Sequence, residues 1–156
     1  MPLLSICIPT FNRANLLAQT IDSIIKQDFF KKNNEIEIII SDNASTDNTQ
    51  KVCEKYVNCY PDKIKYYKNS ENIGFANFEK VLSLADGEFL KLQNDTLLFE
   101  DNSLEKITNY IKHNIESKNI LFFLNKNKIL KQKNLICNNL DEFVNKISYN
   151  STWIGS

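Results

Sequence analysis

The 156-residue sequence has a single arginine, Arg13, and a single histidine, His113, and its 19 basic and 19 acidic residues leave no net charge. A nucleic-acid surface needs a basic stripe to displace counterions from phosphate, and bidentate phosphate or base-edge readout draws on arginine. That class is excluded. Long hydrophobic runs are missing too: Ile120–Leu124 is among the longest, far below the roughly 20 residues that cross a bilayer. Met1–Ile6 carries neither a charged leader nor a small-residue cleavage site, so no export signal is read there. The four cysteines, Cys7, Cys53, Cys59 and Cys137, form no CxxC pair, which argues against a Cys/His zinc site. Cys7 lies in an apolar run and Cys53 on an apolar helix face, so both read as buried free thiols of a reducing, cytoplasmic compartment. Glycine is scarce, at three residues, and neither a GxxxxGKS/T nor a GxGxxG loop is present. Neither a P-loop enzyme nor a Gly-rich dinucleotide binder is supported.

What is present is an alternation of β-rich runs and helical patterns. Leu3–Ile8 is a short apolar run stopped by Pro9 and reads as a buried strand. Asn12 is placed to cap a helix whose apolar face is Leu16, Leu17, Ile21, Ile24 and Ile25. Glu35–Ile40 is a second strand, ending at Ser41-Asp42, and Val52, Cys53, Tyr56, Val57 and Tyr60 mark a second helix. Lys63–Tyr67 alternates as a third strand. Phe75, Phe78, Val81, Leu82 and Ala85 then repeat at helical spacing up to an Asp86-Gly87 stop signal. Glu88–Leu92 is a fourth strand, Leu104, Ile107 and Ile111 mark a helix, Ile120–Leu124 a further strand, and Asp141–Ile147 a last short helix. This is the signature of βαβ units: an α/β fold with a mainly parallel sheet and helices on both faces, read as one domain over residues 1–156.

Ligands bind such sheets beyond the carboxyl ends of the strands. All four strand-end loops are polar: Pro9–Arg13, Ser41–Asp47, Asn69–Gly74 and Gln93–Thr96. They bring the strand-end carboxylates Asp42 and Asp95 and the guanidinium of Arg13 to one edge of an apolar sheet. Asp42 can accept a hydrogen bond from a ribose hydroxyl or a pyrimidine imide N–H, or it caps the turn that follows; Asp47 reads as a cap. Without a glycine-rich loop, a diphosphate needs another partner for its charge. A divalent cation on hard oxygen ligands, Mg²⁺ or Mn²⁺, is the usual alternative. Asp95 suits that role or a structural role in its turn.

Taken in order, these segments resemble the nucleotide-sugar-binding half of family 2 glycosyltransferases, which have the Rossmann-like GT-A fold. Ser5–Arg13 looks like that family's first strand and loop, and Ser41–Thr49 is similar to its second loop. Asn72–Asn77 and Asp86–Leu90 are similar to the stretch that leads into its metal motif. The resemblance covers residues 3 to 110. It implies transfer of a sugar from a nucleoside-diphosphate donor (a UDP, GDP or dTDP sugar) to an acceptor hydroxyl, on a glycan or lipid-linked acceptor, in cell-surface polysaccharide biosynthesis. The implied setting is cytoplasmic, at the inner face of the membrane. Pro9, Thr10, Asn12, Arg13, Asp42, Asn43, Asn72 and Asn77 would line the nucleotide pocket, with Thr10 and Asp42 at the base and ribose.

The family's aspartate-rich DXD metal motif falls on Asn94-Asp95-Thr96, so Asp95 with Asn94 would hold the Mg²⁺ or Mn²⁺. Asn94 and Thr96 replace acidic positions, and such a site is expected to bind a bare ion weakly, nucleotide phosphates completing it. The general base of inverting members falls beyond Ser156 by the same resemblance, Asp141 and Glu142 reading as a helix start. The chain is thus expected to be a donor-binding part, truncated at the C-terminus before most of the acceptor half. Two other readings remain: a non-catalytic nucleotide-sugar-binding fragment, and an α/β module that binds a protein partner. An edge around Tyr149, Trp153 and Ile154 is expected to favour homo-oligomers.

Overall fold

Ile-rich runs make the centre of the sheet. In the computed structural model, which describes residues 1–113 and 115, β1 (Leu4–Thr10) and β2 (Ile36–Asp42) are buried along their whole length. Both faces are covered, which is why these strands read as continuous apolar runs and not as alternations. The remaining elements are α1 (Ala14–Ile25), α2 (Asp28–Lys32), α3 (Thr49–Cys59), β3 (Ile64–Lys68), α4 (Ala76–Ser83), β4 (Phe89–Leu92) and α5 (Ser103–His113). The sheet lies within Met1–Asn109, a compact unit.

The strand order is β3-β2-β1-β4 and every pair is parallel. Ser5 pairs with Glu37 and Cys7 with Ile39 on one face; Ile6 pairs with Ile38 and Ile8 with Ile40 on the other. Val81 of α4 packs on Cys7 and Ile39, with Leu82, Leu84 and Ala85 at the margin of that cluster. The chain moves from β1 to β2 to β3 in one direction along the sheet and then returns over both to reach β4. Right-handed crossovers therefore put α4 on the face opposite α1 and α3. α1 buries Leu17, Ile21 and Ile24, and α3 buries Cys53 and Tyr56. Each fully buried isoleucine or leucine contributes roughly 1.5–3 kcal/mol.

The expected α/β architecture is observed, with corrections in detail. Pro9 does not stop the first strand; β1 runs on to Thr10. Thr10 O accepts Asn43 N–H at 2.9 Å, so the backbone polar groups of Thr10 face β2 and those of Pro9 face β4. Pairing with β4 ends at Cys7–Leu92, so the missing proline N–H deprives no partner. β2 likewise carries through Ser41 and Asp42. The one-turn α2, which buries Phe30, was not anticipated by the pattern.

Gly87 is not the left-handed stop residue of α4, which ends at Ser83. It is required for close approach: a Cβ there would collide with Ser5 Oγ and lie 2.7 Å from Ser5 N. Its own N–H donates to Ser5 Oγ at 2.8 Å, and Ser5 Oγ donates to Glu37 Oε1 at 2.6 Å. Lys65 Nζ carries this network from the buried Glu37 to the surface, 3.0 Å from Glu37 Oε2 and 2.7 Å from the exposed Asp86 Oδ2. Cys7 and Cys53 are buried free thiols, as expected, while Cys59 is exposed. Among the described residues no helix is long and apolar enough to cross a membrane. The expected strand Ile120–Leu124, the helix Asp141–Ile147, Cys137 and the Tyr149–Ile154 edge lie outside the described residues.

Candidate functional site

The sheet order reverses at β1, whose chain continues to β2 on one side while β4 arrives on the other. The crevice at the carboxyl ends of β1 and β4 is the expected ligand position in such a sheet. Thr10 ends β1, Arg13 precedes α1, and Asp95 follows β4. Thr10 Oγ1 donates to Asp95 Oδ2 at 2.7 Å, and Arg13 Nη1 donates to Asp95 Oδ1 at 2.9 Å. Thr20, on the inner face of α1, donates its hydroxyl to the Asp95 backbone carbonyl at 2.9 Å. The Asp95 side chain is 4 % exposed and that of Arg13 47 %. A buried carboxylate is thus neutralised by a guanidinium on a half-exposed side chain, and such charge-assisted bonds are about twice as strong as neutral ones.

Next to this pair, Asp42 is fully buried. Its Oδ1 accepts Ser45 N–H at 2.9 Å and its Oδ2 accepts the Tyr66 hydroxyl at 2.7 Å. Burial and this bond push the Tyr66 phenol well above its ordinary range. Beyond Asp42 lies a lattice of amides. Asn77 Nδ2 donates to Ser41 O at 2.9 Å, and its Oδ1 accepts from Ser41 Oγ at 2.7 Å and Asn69 Nδ2 at 3.0 Å. Asn69 Nδ2 also reaches Asn43 Oδ1, which accepts Ile73 N–H at 2.8 Å. Asn43 Nδ2 donates to Asn72 Oδ1 at 2.7 Å and Gly74 O at 3.3 Å. Asn43 and Asn77 are buried, and Asn72 is exposed at the rim. Gly74, at φ 58°, provides the left-handed turn that folds this loop back.

Asn12 does not cap α1. It has φ 52°, and its Oδ1 accepts Thr46 N–H at 2.8 Å in the loop after β2. Its own N–H donates to Ser45 Oγ at 2.9 Å. The α1 N–H of Ala14 is capped from a distance, by Asp47 Oδ2 at 3.1 Å. Asp47 Oδ1 accepts from Thr49 N and Thr49 Oγ1, so one carboxylate serves the first turns of α1 and α3 together. Asp47 has the expected capping role toward α3, and the loops after β1 and β2 are tied into one wall.

The structure therefore brings Thr10, Arg13 and Asp95 together in one cluster and Asp42, Asn43, Asn72 and Asn77 in a second. Asn43 N–H on Thr10 O joins the two. Pro9, paired in register with Ser41, underlies both. Sequence reasoning missed Thr20, Tyr66 and Ser45. Thr20 falls at helical spacing on the apolar stripe of Leu17, Ile21 and Ile24, and a polar residue there signals a specific partner. Tyr66 pairs in register with Ile40, two residues before Asp42; that signal needs the strand alignment.

The donor set does not fit a bare divalent cation. Mg²⁺ or Mn²⁺ wants about six oxygens, and both Asp95 carboxylate oxygens are engaged by Arg13 and Thr10. Asn94 Oδ1 accepts from Thr96 N at 3.0 Å and Thr96 Oγ1 at 2.7 Å. Among the described residues no group of three or more His, Cys, Asp or Glu side chains is arranged to hold a metal.

Comparison with known proteins agrees with the fold. The abequosyltransferase RfbV of Salmonella typhimurium is 39% identical over 110 residues, 70% of this chain and 32% of that protein. The GalNAc(5)-diNAcBac-PP-undecaprenol beta-1,3-glucosyltransferase of Campylobacter jejuni is 40% identical over 97 residues, 61% of this chain and 30% of that protein. The mannosyltransferase PcManGT from Pyrobaculum calidifontis, solved with GDP-Man and Mn²⁺, superposes with a TM-score of 0.61 at 25% identity over 71% of this chain and 32% of its own. S. aureus TarS 1-349 in complex with UDP-GlcNAc gives 0.63 at 27% identity over 74% and 32%. The fold is that of GT-A enzymes. The chain spans about a third of the length of the curated relatives it matches. The model of glycosyl transferase family 2 matches residues 5–135, and the chain belongs to that family.

Proposed function

We propose that the crevice at the ends of β1, β2 and β4 binds a nucleoside-diphosphate sugar, and that the chain serves transfer of that sugar to an acceptor hydroxyl in cell-surface glycan synthesis. The observation that carries this reading is the Arg13 guanidinium, anchored on buried Asp95 at the switch point of the sheet on a side chain that is itself half exposed. A planar, permanently charged fork in that position suits phosphate oxygens. Thr10 and Asp42 lie on neighbouring strand ends, within the span of one nucleoside, and Pro9 and Asn12 shape the wall beside them. Asn43, Asn72 and Asn77 act as positioning residues: their lattice fixes where the loops after β2 and β3 stand. A glycan or lipid-linked acceptor, met at the inner face of the membrane, belongs to the same reading. No general base is assigned among the described residues. A Mg²⁺ or Mn²⁺ ion on Asp95 and Asn94 would add charge compensation for the diphosphate, but this donor set admits it only once Arg13 has left Asp95.

The test is a thermal-shift screen of UDP, GDP and dTDP. A nucleotide at about 100 times its dissociation constant adds roughly 2.7 kcal/mol of stability, which is a rise of several degrees in Tm for a domain of this size. One of the three should give that rise. No shift from any of them at millimolar concentration, with calorimetry equally silent, rejects the reading.

A further inference from the structure

The DXD position and its occupant disagree. The family resemblance makes Asp95 a metal ligand, yet its two carboxylate oxygens are held by Arg13 Nη1 at 2.9 Å and Thr10 Oγ1 at 2.7 Å. Thr20 fixes the backbone beneath it at 2.9 Å. The neighbouring amide of Asn94 is turned onto Thr96. A cation on Oδ1 would stand beside the guanidinium on one buried carboxylate, and two like charges sharing that carboxylate repel each other.

We infer that Arg13 and a divalent cation are alternative occupants of Asp95, and that the resting protein excludes the bare ion because its own guanidinium already holds the carboxylate. This rests on the reading of the crevice as a nucleotide-sugar site, and it makes Arg13 the residue that sets the order of binding. The guanidinium leaves Asp95 only for a richer anion, and a diphosphate is such an anion. Thr10 and Thr20 keep the carboxylate aimed into the crevice whichever cation it faces. Arg13 is then more than a pocket-lining residue: it makes cation binding conditional on the donor.

Mn²⁺ alone is the probe, followed by the paramagnetic broadening of backbone amide signals of Thr20, Asn94 and Asp95 in the ¹⁵N-labelled chain. The parent should show no selective broadening at millimolar Mn²⁺. Arg13→Met should show it, with an apparent affinity at least tenfold tighter than the parent, and the double variant Arg13→Met, Asp95→Asn should lose it again. Arg13→Lys, which keeps the charge, should stay closer to the parent than Arg13→Gln. Selective broadening of the parent by Mn²⁺ that disappears in Asp95→Asn overturns the inference, and so does an Arg13→Met protein of native spectrum with no gain. Should Arg13→Met fail to fold, the parent and Arg13→Gln still decide the matter. No nucleotide enters these titrations, so their outcome is separate from that of the nucleotide screen.

Discussion

The Tyr66 hydroxyl donates to Asp42 Oδ2 at 2.7 Å from the neighbouring strand, while Ser45 N–H holds Oδ1 at 2.9 Å. The carboxylate at the end of β2 is therefore a fully buried, doubly bonded group, and removing it carries a structural cost whatever it does for a ligand. Asp42→Ala should lose about 1–3 kcal/mol of stability, because it leaves a buried N–H without an acceptor. Tyr66→Phe should lose about 1 kcal/mol and Asp42→Asn less than Asp42→Ala. Urea denaturation checks this order; an Asp42→Ala protein as stable as the parent contradicts it.

Asp47 joins two helices that are far apart in sequence, through Ala14 N–H and Thr49 N–H. Its replacement by alanine removes two caps at once. A single lost cap costs about 0.5–2 kcal/mol, so Asp47→Ala should fall near the sum of two, whereas Asn12→Ala should leave α1 capped. Hydrogen exchange should show the first turns of α1 and α3 opening together in the Asp47 variant. Opening of α3 alone would mean that the contact to Ala14 is unimportant.

Gly87→Ala should destabilise by about 1–3 kcal/mol through overpacking against the β1 backbone, since its Cβ would lie 2.7 Å from Ser5 N. Gly74→Ala meets open space and carries only the strain of φ 58°, about 1 kcal/mol. Thermal unfolding of the two variants should rank them in that order. A reversed ranking would show that the β4 edge yields readily.

Stability should pass through a maximum at about pH 9. Burial pushes the thiols of Cys7 and Cys53 up to about 12 from 9.0. The folded chain keeps these protons where the unfolded chain releases them, so their stabilising contribution is complete below pH 9.0 and declines above it. Burial lowers Lys91 to about 8 from 10.5, so the unfolded state holds the extra proton in that interval and stability climbs through it. Tyr56 and Tyr66, both raised by burial, steepen the alkaline decline. Urea midpoints from neutral to strongly alkaline pH measure the curve. Lys91→Met should remove the rising limb and Cys53→Ala should make the falling limb shallower; a flat profile in the parent would refute both.

The sheet was legible because β1 and β2 are covered on both faces, so their isoleucines run together without interruption. The polar strand ends were legible for the same reason, as abrupt departures from apolar runs. Pro9 misled because a proline's effect depends on which side its backbone faces, and that follows only from where β4 stops pairing. The five residues of α2 are too few to show a period. Asp47 was recognisable as a cap, but not that it also caps a helix starting 33 positions earlier. The partners of Asp42 and Asp95 come from other strands and helices, so spacing alone could name the carboxylates and not what holds them.

The amide lattice after β2 and β3 has a chemical sequel. Ser41 O sets Asn77, Ile73 N–H and Gly74 O set Asn43, and Gly74 N–H sets Asn72 at 2.8 Å. Asn69 must then present its nitrogen to two oxygens, which leaves its Oδ1 without a protein donor. Each amide has one workable orientation, dictated by the next. Hydrolytic deamidation of Asn43, Asn69 or Asn77 would put an oxygen where a donor is required and set acceptor against acceptor along the chain of contacts. A change at any one of the three would therefore be felt by its bonded neighbours in the lattice.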